Sequence, residues 1–192
     1  MPVTARAIVA VAAPERGSPM LQELARDVGR AIISRGHHVL MSGGGAILQA
    51  CCEGAQEEKT SMRRRGKFVG DAPSVLLMVP GNGKPEGFDE ADMVLPTGLG
   101  AAVQTVVCAS ADALIALDGG ASVLAQVALG WALRKPLVLM SPTGTALEHL
   151  AGERLDSSRA DMILTADTAD RAVELLGDLG NRAGTPSKPA RK

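Results

Sequence analysis

Aromatic residues are almost missing from this chain of 192 residues: there is no Tyr, one Trp (Trp131) and two Phe. Proteins that stack single-stranded nucleic acid need several aromatic platforms, so that class is disfavoured. Charge is balanced, with 20 Lys and Arg against 21 Asp and Glu. A net charge of −1 provides no global electrostatic footprint for nucleic acid. The one basic run, Arg63-Arg64-Arg65-Gly66-Lys67, is short and reads as a solvated loop. Cysteines number three, Cys51, Cys52 and Cys108, with no C-x-x-C spacing. An odd count and an adjacent pair exclude a disulfide framework and point to buried free thiols in a reducing compartment. No apolar stretch approaches the ~20 residues of a membrane span. The run Ala7–Ala13 is too short to be a signal peptide, so a cytoplasmic location is expected.

What the chain has is aliphatic residue and glycine: 46% of it is hydrophobic, and 22 residues are Gly. Global disorder is thereby excluded, and the length suits one domain. Short apolar runs alternate with amphipathic ones. Strands are expected at Ala7–Ala13, His38–Met41, Ser74–Val79, Met93–Leu95, Asp112–Leu117, Pro136–Met140 and Met162–Leu164. Helices are expected at Met20–Arg35, Ile47–Glu58, Leu99–Ala109, Ser122–Leu133 and Thr168–Leu179, with a loop from Thr60 to Gly70. Strands that alternate with helices and are apolar throughout predict an α/β fold: a doubly wound, mostly parallel Rossmann-like sheet with helices on both faces. The reading is one domain over residues 1–180 and a disordered tail over 181–192.

In such sheets ligands bind beyond the carboxyl ends of the strands. Glycine clusters stand there: Gly43-Gly44-Gly45 after the second strand, Gly119-Gly120 before a later helix, and Thr97-Gly98 before another. Glycine lets a ligand approach the backbone, and a helix N-terminus favours an anion such as phosphate. The common fingerprints are missing. Gly81-Asn82-Gly83-Lys84 runs into Pro85 and is no P-loop; no G-x-G-x-x-G follows the first strand, and there is no G-x-S-x-G. His37 and His38 open a strand and point to opposite faces, which excludes joint metal binding; both, with His149, read as surface residues. Cys108 reads as core. No metal and no cofactor are expected.

The ordered set Ser42-Gly43-Gly44-Gly45, Gly54-Ala55, Val79-Pro80-Gly81, Pro96-Thr97-Gly98, Ser110–Gly120 and Lys135–Leu139 resembles the LOG family in the broad sense. These are SLOG-type Rossmann-like proteins, some labelled lysine decarboxylases and grouped with molybdenum-cofactor carrier-like proteins. The resemblance covers about residues 5 to 178. It implies a homodimer or higher homo-oligomer that binds a nucleotide or related phosphorylated ligand. Active members are phosphoribohydrolases, which cleave the N-glycosidic bond of nucleoside 5′-monophosphates and release ribose 5-phosphate. Their signature, P-G-G-x-G-T-x-x-E with an Arg on the preceding helix, implies that Glu and Arg act on the developing oxocarbenium-like centre.

The matching stretch here is Asp118-Gly119-Gly120-Ala121-Ser122-Val123-Leu124-Ala125-Gln126. Gln126 takes the place of the Glu, and Val103 falls where the Arg is expected. Neither can perform the charged role, and each loss alone is expected to cost orders of magnitude in rate. The resemblance therefore implies a ligand-binding pseudoenzyme: a sensor, carrier or scaffold. Backbone and hydroxyl donors to phosphate would come from Gly43, Gly44, Gly45, Thr97, Gly98, Gly119, Gly120 and Ser122, while Ala12, Ala13 and Gln126 would line the base or ribose side. Two alternatives stand beside it. One is an active phosphoribohydrolase rebuilt around Asp118 or Glu148. The other is an interaction protein using the small-residue side of the Ser122–Leu133 helix. Decarboxylation with pyridoxal needs a Schiff-base lysine; Lys59, Lys67, Lys84 and Lys135 are expected in loops or at helix ends away from the cleft. No nucleic-acid or membrane partner is expected.

Overall fold

The computed structural model describes residues 6–67, 72–140 and 147–177. Seven strands form one parallel sheet: β1 (Ile8–Ala12), β2 (His38–Ser42), β3 (Val75–Val79), β4 (Met93–Pro96), β5 (Ala113–Leu117), β6 (Leu137–Met140) and β7 (Leu164–Ala166). Their order is β4-β3-β2-β1-β5-β6-β7. The chain runs outward from β1 to β4, then returns to β5 on the other side of β1, so the order reverses between β1 and β5. Every pairing is parallel, which puts all strand carboxyl ends on one edge.

Among the described residues five α-helices cover the sheet: α1 (Pro19–Ser34), α2 (Ala46–Arg64), α3 (Val103–Ser110), α4 (Ala121–Ala132) and α5 (Ala169–Leu175). The buried residues form two layers. One packs Val9, Val11, Met41 and Ile115 under α1, α2 and α5. The other packs Ala10, Ala12, Leu114 and Leu139 under α3 and α4. Alternate residues of β1 thus face opposite layers, as the pleat requires, and the continuous apolar strands are explained by burial on both faces.

Several boundaries move. The expected loop at Thr60 begins as helix, because α2 continues to Arg64 with Lys59 and Met62 on its buried side. The basic run therefore straddles a helix end, where cations suit the helix dipole. The Leu99–Ala109 segment starts as a 3-10 turn at Gly100–Ala102 before α3. The last strand sits later than Met162–Leu164, pairing Leu164–Ala166 with β6. The tail from 181 and the segment Ser141–Gly144 lie outside the described residues.

Lys59 is not at a helix end. It is 3% exposed within α2, and its Nζ donates to Asp92 at 2.5 Å. Asp92 also accepts from the Val75 N–H at 2.7 Å and from the Gln56 amide at 3.2 Å, so one carboxylate joins α2 to the start of β3. His38, next to this cluster, is half-buried rather than a surface residue, and its Nδ1 accepts from the Ser74 N–H at 3.0 Å. His37 is half-buried too, and its Nδ1 accepts from the Ala7 N–H. Acceptance through Nδ1 requires that nitrogen unprotonated. Burial, then the charges of Arg6 and Lys59, lower the His38 pKa against an opposing contribution from Asp92.

A histidine held neutral in the fold contributes stability above its unfolded pKa, near 6.5, and loses it as pH falls through the lower folded value. The urea midpoint is therefore expected to drop between pH 7.5 and 5.5, and His38→Asn to flatten that drop. Equal slopes for the two proteins would refute the assignment.

Candidate functional site

The carboxyl edge carries the loops that the sequence singled out. After β2 come Gly43, Gly44 and Gly45, and the last is the N-cap of α2 at φ +103°. A Cβ on Gly45 would stand 2.4 Å from the Glu15 carbonyl oxygen, so the loop after β1 and the loop after β2 touch through bare backbone. The Ala46 N–H donates to the same Glu15 oxygen at 3.0 Å. After β5, Asp118 takes a left-handed conformation at φ +48°, and Gly120 is the N-cap of α4. The ends of β2 and β5 lie two strand spacings apart across β1, roughly 10 Å. This is the scale of a small phosphorylated molecule, placed where the strand order reverses.

Capping separates these helices from α1 and α5; α3, which continues from a 3-10 turn, also lacks a side-chain cap. Ser18 Oγ accepts from Leu21 N–H at the start of α1, and Thr168 Oγ1 accepts from Arg171 N–H at the start of α5. Neither α2 nor α4 has a side-chain cap. Among the described residues, none accepts from the N–H groups of Gly44, Gly45 or Gly120. Apart from the Ala46 N–H, which donates to Glu15, the two glycine-led helix ends thus keep these N–H donors and their partial positive charge open to an outside anion.

Other expected donors are already engaged. The Gly43 N–H donates to the Met78 carbonyl at 3.0 Å, and the Gly98 N–H to the Gly81 carbonyl at 3.1 Å. The Thr97 hydroxyl donates to the Val79 carbonyl at 2.7 Å. Thr97 and Gly98 thereby fasten the loop after β4 to the loop after β3. The Gly119 N–H is held by the Asp118 carboxylate. Asp118 is accordingly turned onto its own loop. Ala12 is buried beneath the edge, Ala13 is half-buried and Ser122 is exposed on the first turn of α4. Glu148 and His149 are exposed in a short 3-10 turn at Glu148–Leu150.

Val103 lies on α3 and Gln126 on α4, and both are buried. Val103 is 3% exposed and Gln126 is 4% exposed. Cys108 of α3 is buried, and its thiol donates to the Gln126 backbone carbonyl at 3.6 Å. The other two thiols are also buried, and burial pushes Cys52 up to about 12 and Cys51 higher still, so neither is a ready nucleophile. No group of His, Cys, Asp and Glu suited to a metal occurs among the described residues, and no helix there is long and apolar enough to cross a membrane.

The sequence reading missed the wall formed by the loop after β3. Pro85 packs opposite Gly44, at 3.6 Å from where a Cβ would stand, and Asn82 stands 2.8 Å from the equivalent point on Gly98. The available signal was Gly81-Asn82-Gly83, a fourth small-residue cluster at a strand end.

The chain is similar to the molybdenum cofactor binding protein of Rippkaea orientalis, with 21% identity and a TM-score of 0.69 over 90% of this chain and 96% of that one. It is similar to the molybdenum cofactor carrier protein MCP of Chlamydomonas reinhardtii, with 22% identity and a TM-score of 0.70 over 91% and 98%. DNA processing protein A of Helicobacter pylori, described for its single-stranded DNA binding, matches at 15% identity and a TM-score of 0.53 over 72% and 66%. At these identities the likeness is one of fold. No curated protein matches the chain. The model of the SLOG cluster4 family matches residues 6–173, and the chain belongs to that family.

Proposed function

We propose that this protein is a cytoplasmic carrier or sensor of a nucleotide or related small phosphorylated ligand. The observation that carries this reading is the pair of uncapped, glycine-led helix ends, α2 and α4, on one edge of the sheet at its reversal point. Phosphate bound there would accept from the N–H groups of Gly44, Gly45 and Gly120 and the hydroxyl of Ser122. No lysine or arginine is required, because the donors and helix dipoles supply the positive end. The organic part would lie over Ala13 toward Gln126. The likeness to two molybdenum cofactor proteins supports a carried ligand over a consumed one.

Turnover is disfavoured by the same residues. Val103 offers no charge to a leaving base, and Gln126 offers no carboxylate. Asp118, the nearest substitute, already accepts from Gly119. Gly120→Asp tests the site directly. Gly120 has an extended backbone and open space at its Cβ, so an aspartate fits and caps α4. The melting temperature is expected to hold or rise slightly, while affinity for a nucleoside 5′-monophosphate or inorganic phosphate falls at least tenfold by calorimetry. Unchanged affinity would remove α4 from the site.

The chain is also proposed to act as a homodimer or higher homo-oligomer. Leu99–Ala111 and Gly119–Leu133 contain no charged residue, yet Leu99, Val106, Leu124 and Leu133 are each more than a third exposed. A charge-free apolar face can meet its own copy without like-charge repulsion. Sedimentation is expected to give at least twice the chain mass, and Ala125→Glu to return a monomer.

A further inference from the structure

We propose that the basic end of α2 is a docking surface for an acidic peptide segment of a partner protein. The inference stands apart from the ligand reading. α2 leaves the carboxyl edge at its N-cap Gly45 and runs back across the sheet for 19 residues, about 28 Å. Its last turn therefore lies at the amino edge, far from the glycine loops. There Arg63, Arg64 and Arg65 follow one another, with Lys67 just beyond, and all are exposed. The Lys67 N–H donates to the Met62 carbonyl at 3.0 Å, which folds Lys67 back beside Arg63. α1, packed alongside, ends at the same edge with the exposed Arg35.

Ion pairing sets this run apart from the rest of the two helices. Arg26 and Arg30 of α1 are answered by Glu53, Glu57 and Asp27. Arg65 is answered by Glu58 at 2.7 Å. Arg63, Arg64 and Lys67 meet no carboxylate among the described residues. Cations in a last turn complement the helix dipole, but Lys67 lies past the helix end and adds to the crowding. Charges this close act together on an approaching anion.

The surroundings select the kind of anion. Thr60, Ser61, Arg64 and Arg65 line an open groove of about 650 Å³ whose other end holds Gln56, Glu57 and Glu90. Glu90 is exposed and meets no cation among the described residues. A nucleic acid carries phosphate at every step and would bring charge against Glu90. An acidic peptide can set its carboxylates on the free guanidinium groups and neutral residues beyond them. The hydroxyls of Thr60 and Ser61 suit its backbone. No aromatic side chain lines the groove for bases to stack on. No large hydrophobic residue of α2 is exposed to enter a membrane.

The test is selection of displayed random peptides on the whole protein, with counter-selection on Arg63→Gln/Arg64→Gln/Lys67→Gln. The selected peptide, a DNA duplex and phosphatidylserine vesicles would then be titrated onto both proteins. All three side chains are exposed, so the variant is expected to melt within about 2 °C of wild type. Selected peptides are expected to be rich in Asp and Glu and to bind the variant about tenfold more weakly, the loss expected for three exposed ion pairs. Added salt should weaken binding to wild type. Arg154→Gln, which removes an exposed cation elsewhere, should leave binding unchanged. Peptides without clustered acids, or equal binding to the variant, would overturn the proposal. DNA or vesicles held more tightly than the peptide through the same residues would also overturn it, assigning the surface to another class of partner. A variant melting well below wild type would show that the run is structural and overturn it as well.

Discussion

Gly54→Ala is expected to lower the melting temperature by roughly 6–12 °C, the equivalent of about 3 kcal/mol for a chain of this size. A Cβ on Gly54 would stand 2.0 Å from the Arg26 carbonyl oxygen of α1, and one on Gly29 would stand 2.1 Å from the Cys51 carbonyl oxygen of α2. Both obstacles are backbone, so no side chain can rotate away. The two helices touch through this pair of glycines and would have to separate. Around the contact, Arg26 bridges Glu53 and Glu57, and Arg30 reaches Glu57, a network that holds the Glu57 carboxyl below its ordinary range. The network is largely exposed and follows from the close approach rather than causing it. Gly29→Ala is expected to cost a similar amount. The double variant should cost less than the sum, because one separation relieves both clashes. A melting temperature for Gly54→Ala within about 2 °C of wild type would show that α1 and α2 are not in this contact.

The second large effect concerns the Lys59–Asp92 pair. Asp92→Asn is expected to destabilise the fold by about 3 kcal/mol, because it strands a buried ammonium without its counter-ion. Lys59→Met should cost less. Asp92 is a third exposed and keeps the Val75 N–H and the Gln56 amide. The ordering is the test: urea midpoints should place Asp92→Asn below Lys59→Met, and adding Lys59→Met to Asp92→Asn should recover stability. If the single variants fall in the opposite order, the ammonium is not the group that needs the pair.

Neither contact was legible in the sequence, for a common reason. Gly29 and Gly54 sit inside helical patterns, where a glycine in one chain segment says nothing of the segment it will meet. Lys59 reads as a loop or helix-end residue because its partner is far along the chain, and only the packing of α2 beside the start of β3 and β4 brings Asp92 to it. The fold itself was readable, since uninterrupted apolar runs such as Ala113–Leu117 separated by amphipathic helices leave few arrangements other than a covered parallel sheet. Boundaries slipped where tertiary contact overrode polarity, as at the end of α2. The elements of the candidate site were legible because glycine clusters mark strand ends. Which of their N–H groups remain open was not, because the partners of Gly43 and Gly98 are carbonyls on neighbouring loops. The burial of Gln126 with an unpaired oxygen belongs to the same class: its position in the motif was visible, its lack of a partner was not.

The central claim is that the edge between α2 and α4 holds a phosphorylated ligand without consuming it. Mass spectrometry of the purified protein incubated with AMP, GMP, CMP and a cytokinin ribotide tests this most directly, with Gly44→Asp as the control. A Cβ at Gly44 meets Pro85 at an ordinary contact distance of 3.6 Å, and the aspartate would place a carboxylate beside the α2 N-terminus and repel the phosphate. The account predicts intact nucleotide bound to wild type and lost from the control, with no free base or ribose 5-phosphate above it. Free base and ribose 5-phosphate formed well above the control would contradict it and make this chain a phosphoribohydrolase working without a glutamate at position 126.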